Sequence, residues 1–306
     1  MRREHINRQS PGDLTYLPVV DELNSTYSTK PKRSLWNTSC VSDGLLYFMI
    51  PTSGSAFNSV NNTIVVCNAN HILGEFPITL KGTNTMQGAC CDGYLGIVSD
   101  SDWYSMYVSC YVYDIQNNTL TKTRDITGNN YMFGEGLFAL TYNGTHYLFQ
   151  NANSGRNSLW TFNMDNGSKT SLSQSYSYYA KPFYFTQNNK LIATEWFPAN
   201  YSDKRPVMVR QFNFPLSSMG TAISNQLAAP SSTSVWKFYD VDDYFYFVYN
   251  GYAYTMKGDF THIEQGNIIP SGLSLTYMNL LSGYGYFHNS STYLFERYKI
   301  SDYFNW

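Results

Sequence analysis

One short phrase recurs along almost the whole chain: a turn carrying Asp or Asn with Gly, then a brief aromatic strand. It reads Ser42-Asp43-Gly44-Leu45-Leu46-Tyr47-Phe48, then Cys91-Asp92-Gly93-Tyr94-Leu95-Gly96-Ile97, then Tyr142-Asn143-Gly144-Thr145-His146-Tyr147. Later versions are Gln187-Asn188-Asn189-Lys190-Leu191-Ile192, Val241-Asp242-Asp243-Tyr244-Phe245-Tyr246 and Ser282-Gly283-Tyr284-Gly285-Tyr286-Phe287. Counted from Leu45, Tyr94, Thr145, Lys190, Tyr244 and Tyr284, the copies lie about 40 to 54 residues apart, a period that accommodates four short strands.

The composition agrees. Hydrophobic residues make up 43% of the chain, but 28 Tyr and 19 Phe supply much of that share, and aromatic side chains suit a pleated, half-buried surface better than a helix. In the second repeat Tyr107, Ser109, Tyr111 and Tyr113 fall on one side of a strand, and Val108, Cys110 and Val112 on the other. That is period two. The chain is therefore expected to be all-β, a six-bladed β-propeller of four-stranded antiparallel blades over residues 34–306. Over residues 14–300 this grammar resembles six-bladed propeller proteins in general. The sixth repeat, Leu275–Leu281, Tyr284–Asn289 and Thr292–Lys299, leaves only Ser301–Trp306 for an outer strand. Leu14–Val20, within an N-terminal arm of residues 1–33, is expected to be the strand that completes it, with Pro18 tolerable on an edge.

Charged residues are 14% of the chain and nearly balanced at −2, without the basic block a nucleic-acid partner needs. Arg2, Arg3, Arg8, Lys30, Lys32 and Arg33 are dispersed through the arm. No apolar run suits a secretory leader or a bilayer span. Cys40, Cys67, Cys90, Cys91 and Cys110 have no metal spacing and read as free thiols of a chain made in a reducing cytoplasm. Sequons at Asn24, Asn37, Asn61, Asn117, Asn143, Asn166, Asn200 and Asn289 are numerous, but carry sugar only if the protein is exported.

In a propeller, the loops from second to third strand and from blade to blade share one face. Here those loops are long and aromatic. They contain Trp103, Tyr104, Tyr131, Asn153, Arg156, Tyr178, Trp196 and Tyr201, a mixture of rigid contact area and adaptable hydrogen bonding. These eight are the expected binding residues. Trp160 and Trp236 lie within strands and read as packing between blades.

Chemistry is harder to find. His5, His71, His146, His262 and His288 are scattered, and no nucleophile elbow, phosphate loop or metal motif occurs. A glycosidase would need two converging carboxylates, for which Asp100, Asp102, Glu195, Asp240, Asp242 and Asp243 are available. Asp242 and Asp243, like Asp43 and Asp92, stand where the turn grammar already calls for acidic residues. Asn151–Trp160 has some spacing of the Asp-box of sialidase-like propellers, but it lacks the Asp and its Trp falls two residues late, so no match is assigned. The Tyr-, Asn-, Ser- and Thr-rich, thiol-containing composition resembles tail and receptor-binding components of bacteriophages. That resemblance implies a non-enzymatic virion component within a larger assembly, touching other virion proteins or a cell-surface glycan, with no cofactor, metal or membrane insertion. The alternatives are a glycan-active hydrolase or lyase with an acidic pair at the propeller tunnel, and a secreted glycoprotein binding module.

Overall fold

The computed structural model describes residues 19–27, 39–51, 61–81, 86–100, 105–129, 137–152, 158–173, 180–183, 190–196, 205–213, 222–229, 239–241, 244–249, 252–257, 263–268, 279–288, 292 and 294–303. Apart from one helix and a short 3-10 turn, they form strands and tight turns. The chain divides into two compact units, residues 1–130 with 272–302 and residues 131–271 with 303–306.

The first unit holds three antiparallel sheets. One runs β1 (Ser39–Ser42), β2 (Leu45–Pro51), β3 (Asn61–Cys67) and β4 (Ile72–Thr79) in chain order. The next runs β5 (Met86–Cys91), β6 (Tyr94–Asp100), β7 (Ser105–Asp114) and β8 (Thr119–Asn129). The second unit holds three further four-stranded sheets: β9 (Leu137–Tyr142) to β12 (Lys169–Ser173), through β10 (Thr145–Ala152) and β11 (Ser158–Asn163); β13 (Ala180–Phe183) to β16 (Ala222–Ala229), through β14 (Lys190–Trp196) and β15 (Arg205–Asn213); and β17 (Tyr239–Val241) to β20 (Ile263–Ile268), through β18 (Tyr244–Tyr249) and β19 (Tyr252–Lys257). Among the described residues, the first unit's third sheet comprises β21 (Asn279–Leu281), β22 (Tyr284–His288) and β23 (Phe295–Lys299).

In four of its copies the repeated phrase is a hairpin. Asp43 and Gly44 have φ of 52° and 71°, Asp92 and Gly93 45° and 75°, Asn143 and Gly144 48° and 74°, and Ser282 and Gly283 52° and 78°. Two consecutive positive φ angles define a type I′ turn, whose twist matches that of the flanking strands. Small polar residues and glycine recur there because few others adopt that backbone. A Cβ on Gly44 would meet nothing within 4 Å, so Gly44→Ala isolates the backbone effect. It is expected to cost about 1–2 kcal/mol in chemical denaturation, and an unchanged midpoint would contradict the turn assignment.

The first sheet is buried on both faces. Leu45, Tyr47, Met49, Ile64 and Val66 enter one apolar cluster with Leu95, Ile97, Tyr111 and Tyr113 of the β5–β8 sheet. Leu46, Phe48, Ile50, Val65 and Cys67 enter another with Leu281, Tyr286 and Phe295. Hence β2 reads as an unbroken apolar run rather than an alternating one. Outer β4 alternates between half-buried and exposed residues. All five cysteines are free, with Cys40, Cys67 and Cys110 buried. Burial pushes the Cys67 thiol up, first through desolvation and then through the nearby Glu22 charge, leaving it a core group rather than a nucleophile.

The N-terminal expectation needs correction. Val19 and Val20 begin a helix, α1 (Val19–Tyr27), not the end of a strand, and residues 14–18 lie outside those described. Its buried residues Val19, Val20, Leu23 and Tyr27 form a helical stripe, and Asp21 and Glu22 occupy the first turn, where carboxylates favour the positive end of the helix dipole. The helix covers the edge of β23. The Asn24 side chain donates to the Phe295 carbonyl and accepts the Phe295 N–H, both at 2.8 Å, just as a residue of a neighbouring strand would. Glu22 accepts the Ile72 N–H at 2.9 Å, Val19 N–H donates to the Ala69 carbonyl at 3.2 Å, and the Tyr27 hydroxyl donates to Glu75. A single helix thus ties the first sheet to the three-stranded one. The sequon asparagine Asn24 is occupied by this bridge.

Candidate functional site

Each sheet has a hairpin end, where its first two strands meet, and a loop end, where the second strand leaves for the third. Trp103, Tyr104, Tyr131, Asn153, Arg156, Tyr178 and Tyr201 lie outside the described residues, as do Asp102, Asp242 and Asp243. Trp196 is the last residue of β14, opposite Val207.

The remaining acids separate by position. Asp240, paired with Phe245, stands beside the hairpin of its sheet. Asp100 closes β6 at the loop end of its sheet, across from Met106. Glu195 lies one residue from the loop end of β14, between Ala180 of β13 and Met208 of β15. Asp43 and Asp92 are turn residues, as expected. Among the described residues, no group of three or more His, Cys, Asp or Glu could hold a metal ion.

Three buried carboxamides stand at loop ends, which sequence reasoning missed. In the first unit, Asn62 (1% exposed) is second in β3 and Gln87 (6%) second in β5. In the second unit, Gln150 (1% exposed) lies in β10 between Leu137 and Trp160. A buried carboxamide is costly unless something pairs with it. The available signal was positional. The sixth residue after the hairpin is Ile50 in the first sheet, but Ser99, Gln150 and Glu195 in the next three. Ser99 is also fully buried, and its hydroxyl donates to the Lys81 carbonyl. Glu195 therefore occupies a strand position that in two other sheets holds a buried polar side chain.

Two polar clusters away from the loop ends are structural. His146 Nδ1 lies 2.9 Å from Asp165 Oδ1, and the same carboxylate accepts the His146 N–H at 2.8 Å; this pins the β11–β12 turn to the start of β10. On β8, Asp125 accepts from Ser109 at 2.7 Å and pairs with Lys122 at 2.8 Å, with Lys81 at 3.9 Å. Burial works to raise the Asp125 carboxyl pKa, but hydrogen bonds from Lys122 and Ser109 and the charges of Lys122 and Lys81 outweigh it and hold the group below the usual range. The neighbouring Tyr111 hydroxyl is pushed up to about 12, chiefly by burial and then by the Asp125 charge. A depressed carboxyl contributes stability above its unfolded pKa and loses it as pH falls through the folded one. Unfolding free energy should thus decline below about pH 4, and less steeply in Asp125→Asn. An identical slope in the variant would exclude this role.

Antiparallel sheets, five of them four-stranded, repeat along the chain, and four of the six open on the same type I′ turn; they place the chain in the β-propeller class. No protein-family model matches it, and no curated protein does either. Solved structures do. The GH93 α-L-arabinofuranosidase of Fusarium graminearum, in complex with arabinobiose, superposes with a TM-score of 0.59 at 14% identity, over 90% of this chain and 96% of that one. A glutamate-to-alanine mutant of the same organism's arabinofuranosidase, bound to an iminosugar inhibitor, gives 0.58 at 14% over the same shares. At such identity the likeness establishes the fold. It also corrects the expected non-enzymatic virion role. The arabinofuranosidase shares the architecture over 90% of this chain, whereas the phage resemblance rested on composition, which turns and strands of any long β-protein reproduce.

Proposed function

We propose that this protein is a glycan-active hydrolase on a six-bladed β-propeller, with Glu195 as a catalytic carboxylate. The six sheets are read as six blades, and α1 lies on the β23 edge of the last one, where an outer strand would pair. The observation that carries the reading is the placement of Glu195 at the loop end of β14, in a fold shared over 90% of the chain with arabinofuranosidases.

The chemistry follows from the position. Glycoside hydrolysis needs one carboxyl to protonate the leaving oxygen and a second to act as nucleophile or base. The carboxyl that protonates the leaving oxygen must hold its proton near the working pH, which a carboxyl does where its surroundings disfavour the charged form. Aromatics such as Tyr131 and Tyr178 would supply stacking faces, and Asn153 and Arg156 hydrogen bonds to sugar hydroxyls. The test is hydrolysis of an oligosaccharide panel that includes arabinan fragments, repeated with Asp100, Asp102 and Glu195 replaced singly. Release of reducing ends by the wild type and loss on replacing Glu195 supports the reading; a wild type that cleaves nothing in the panel overturns it.

A further inference from the structure

We propose that the loop end of β10 and β11 is a sugar-recognition subsite, with Trp160 as its stacking surface and the Gln150 carboxamide as its hydrogen-bonding group. The proposal rests on the glycan-active reading and adds to it a site with named contacts.

Gln150 is 1% exposed, and neither its Oε1 nor its Nε2 has a hydrogen-bond partner. Both halves of a buried amide left unpaired are rare in folded proteins and call for an explanation. The sequence would lose nothing in packing by placing Met or Leu there, since Leu148 and Phe149, just before it, are fully buried apolar residues. Something outside the sheet therefore accounts for the amide.

Its surroundings indicate what. Trp160 is the residue directly opposite on β11, so the two side chains share one face of the sheet at close range. Phe162, two residues further along that face, is fully buried, whereas Trp160 is only partly so. The two rings are stacked, 6.5 Å apart and inclined by 19°. The aromatic stripe thus begins in the core and surfaces toward the loop end, beside the unpaired amide. A pyranose or furanose ring matches this combination: its C–H face packs on an indole, and its hydroxyls both donate and accept, as a carboxamide does. Gln150 lies two residues before the end of β10 at Ala152, near the loop that follows. Trp160 was expected to be packing alone; the partial exposure changes that reading.

The test measures two quantities on the full-length chain: melting temperature by calorimetry, and dissociation constants for arabino-, xylo-, gluco- and galacto-oligosaccharides. Gln150→Met, close in shape and without the amide, is expected to raise the melting temperature and weaken binding about tenfold, the worth of one good hydrogen bond. Trp160→Leu should weaken the same ligands, and Gln150→Leu should repeat the result of Gln150→Met. Unchanged affinity in Gln150→Met overturns the proposal whatever happens to stability. Failure of both Gln150 variants to fold overturns it too, because the amide would then be a structural group. A wild type that binds sugar without cleaving it, with weakened variants, sinks the hydrolase reading and leaves the subsite standing. Cleavage that survives both substitutions with unaltered affinity does the reverse. A wild type that binds none of the sugars sinks both.

Discussion

Leu23→Ala is expected to destabilise the first unit by about 2–5 kcal/mol, far more than an ordinary helix substitution. Leu23 is fully buried in the cluster that joins α1 to Leu46, Phe48, Ile50 and Val65 of the first sheet and to Leu281, Tyr286 and Phe295 of the three-stranded one. Phe48 and Phe295 meet edge to face there, 4.8 Å apart. Removing three carbons at that junction loosens both sheets at once, because rigid strands cannot collapse into the space. Asn24→Ala should cost about 1–3 kcal/mol through the two stranded backbone groups of Phe295. Asn24→Asp should not restore the loss, since its carboxylate would face the Phe295 carbonyl with no proton to donate. Deleting residues 1–27 would leave the β23 edge bare and the protein prone to aggregation. Urea denaturation monitored by tryptophan fluorescence reads all of these. A loss below about 1 kcal/mol for Leu23→Ala would mean that the helix merely rests on the surface, contrary to a fully buried leucine.

The second large effect falls on catalysis. Glu195→Gln is expected to lower kcat on a cleaved glycan by about 10²- to 10⁴-fold, the usual contribution of a positioned proton donor or acceptor, while leaving the melting temperature close to that of the wild type. Asp240→Asn is the matched control, because Asp240 stands at the hairpin end of its sheet. It should cleave at the wild-type rate. Equal rates for Glu195→Gln and wild type, with the substrate saturating, would remove Glu195 from the mechanism and direct the search to Asp100 and Asp102.

Much of the architecture was legible in the residues. The Asp-Gly, Asn-Gly and Ser-Gly pairs marked hairpins because positive φ at two consecutive positions is a local demand. The strands following them were found within a residue or two. Legibility failed at the N-terminus. Leu14–Val20 carries β-branched and aromatic residues that suit a strand, yet Val19 and Val20 are helical because the apolar stripe they start continues at Leu23 and Tyr27, four and eight residues after Val19. A seven-residue window sees only its first turn. The function was misread for a related reason: Tyr, Asn, Ser and Thr are abundant wherever a chain is built of short strands and tight turns, so their abundance says little about a virion.

The chain's own residues determined its local geometry: where it reverses, which segments extend, and which strands are apolar on both sides. Those properties depend on the dihedral and packing preferences of neighbours in sequence. What tertiary structure alone decided was which side chains lie buried at the loop ends and what covers the β23 edge. Gln150 and Asn24 look like ordinary polar residues until distant segments surround them, because desolvation belongs to the assembled fold and not to the residue.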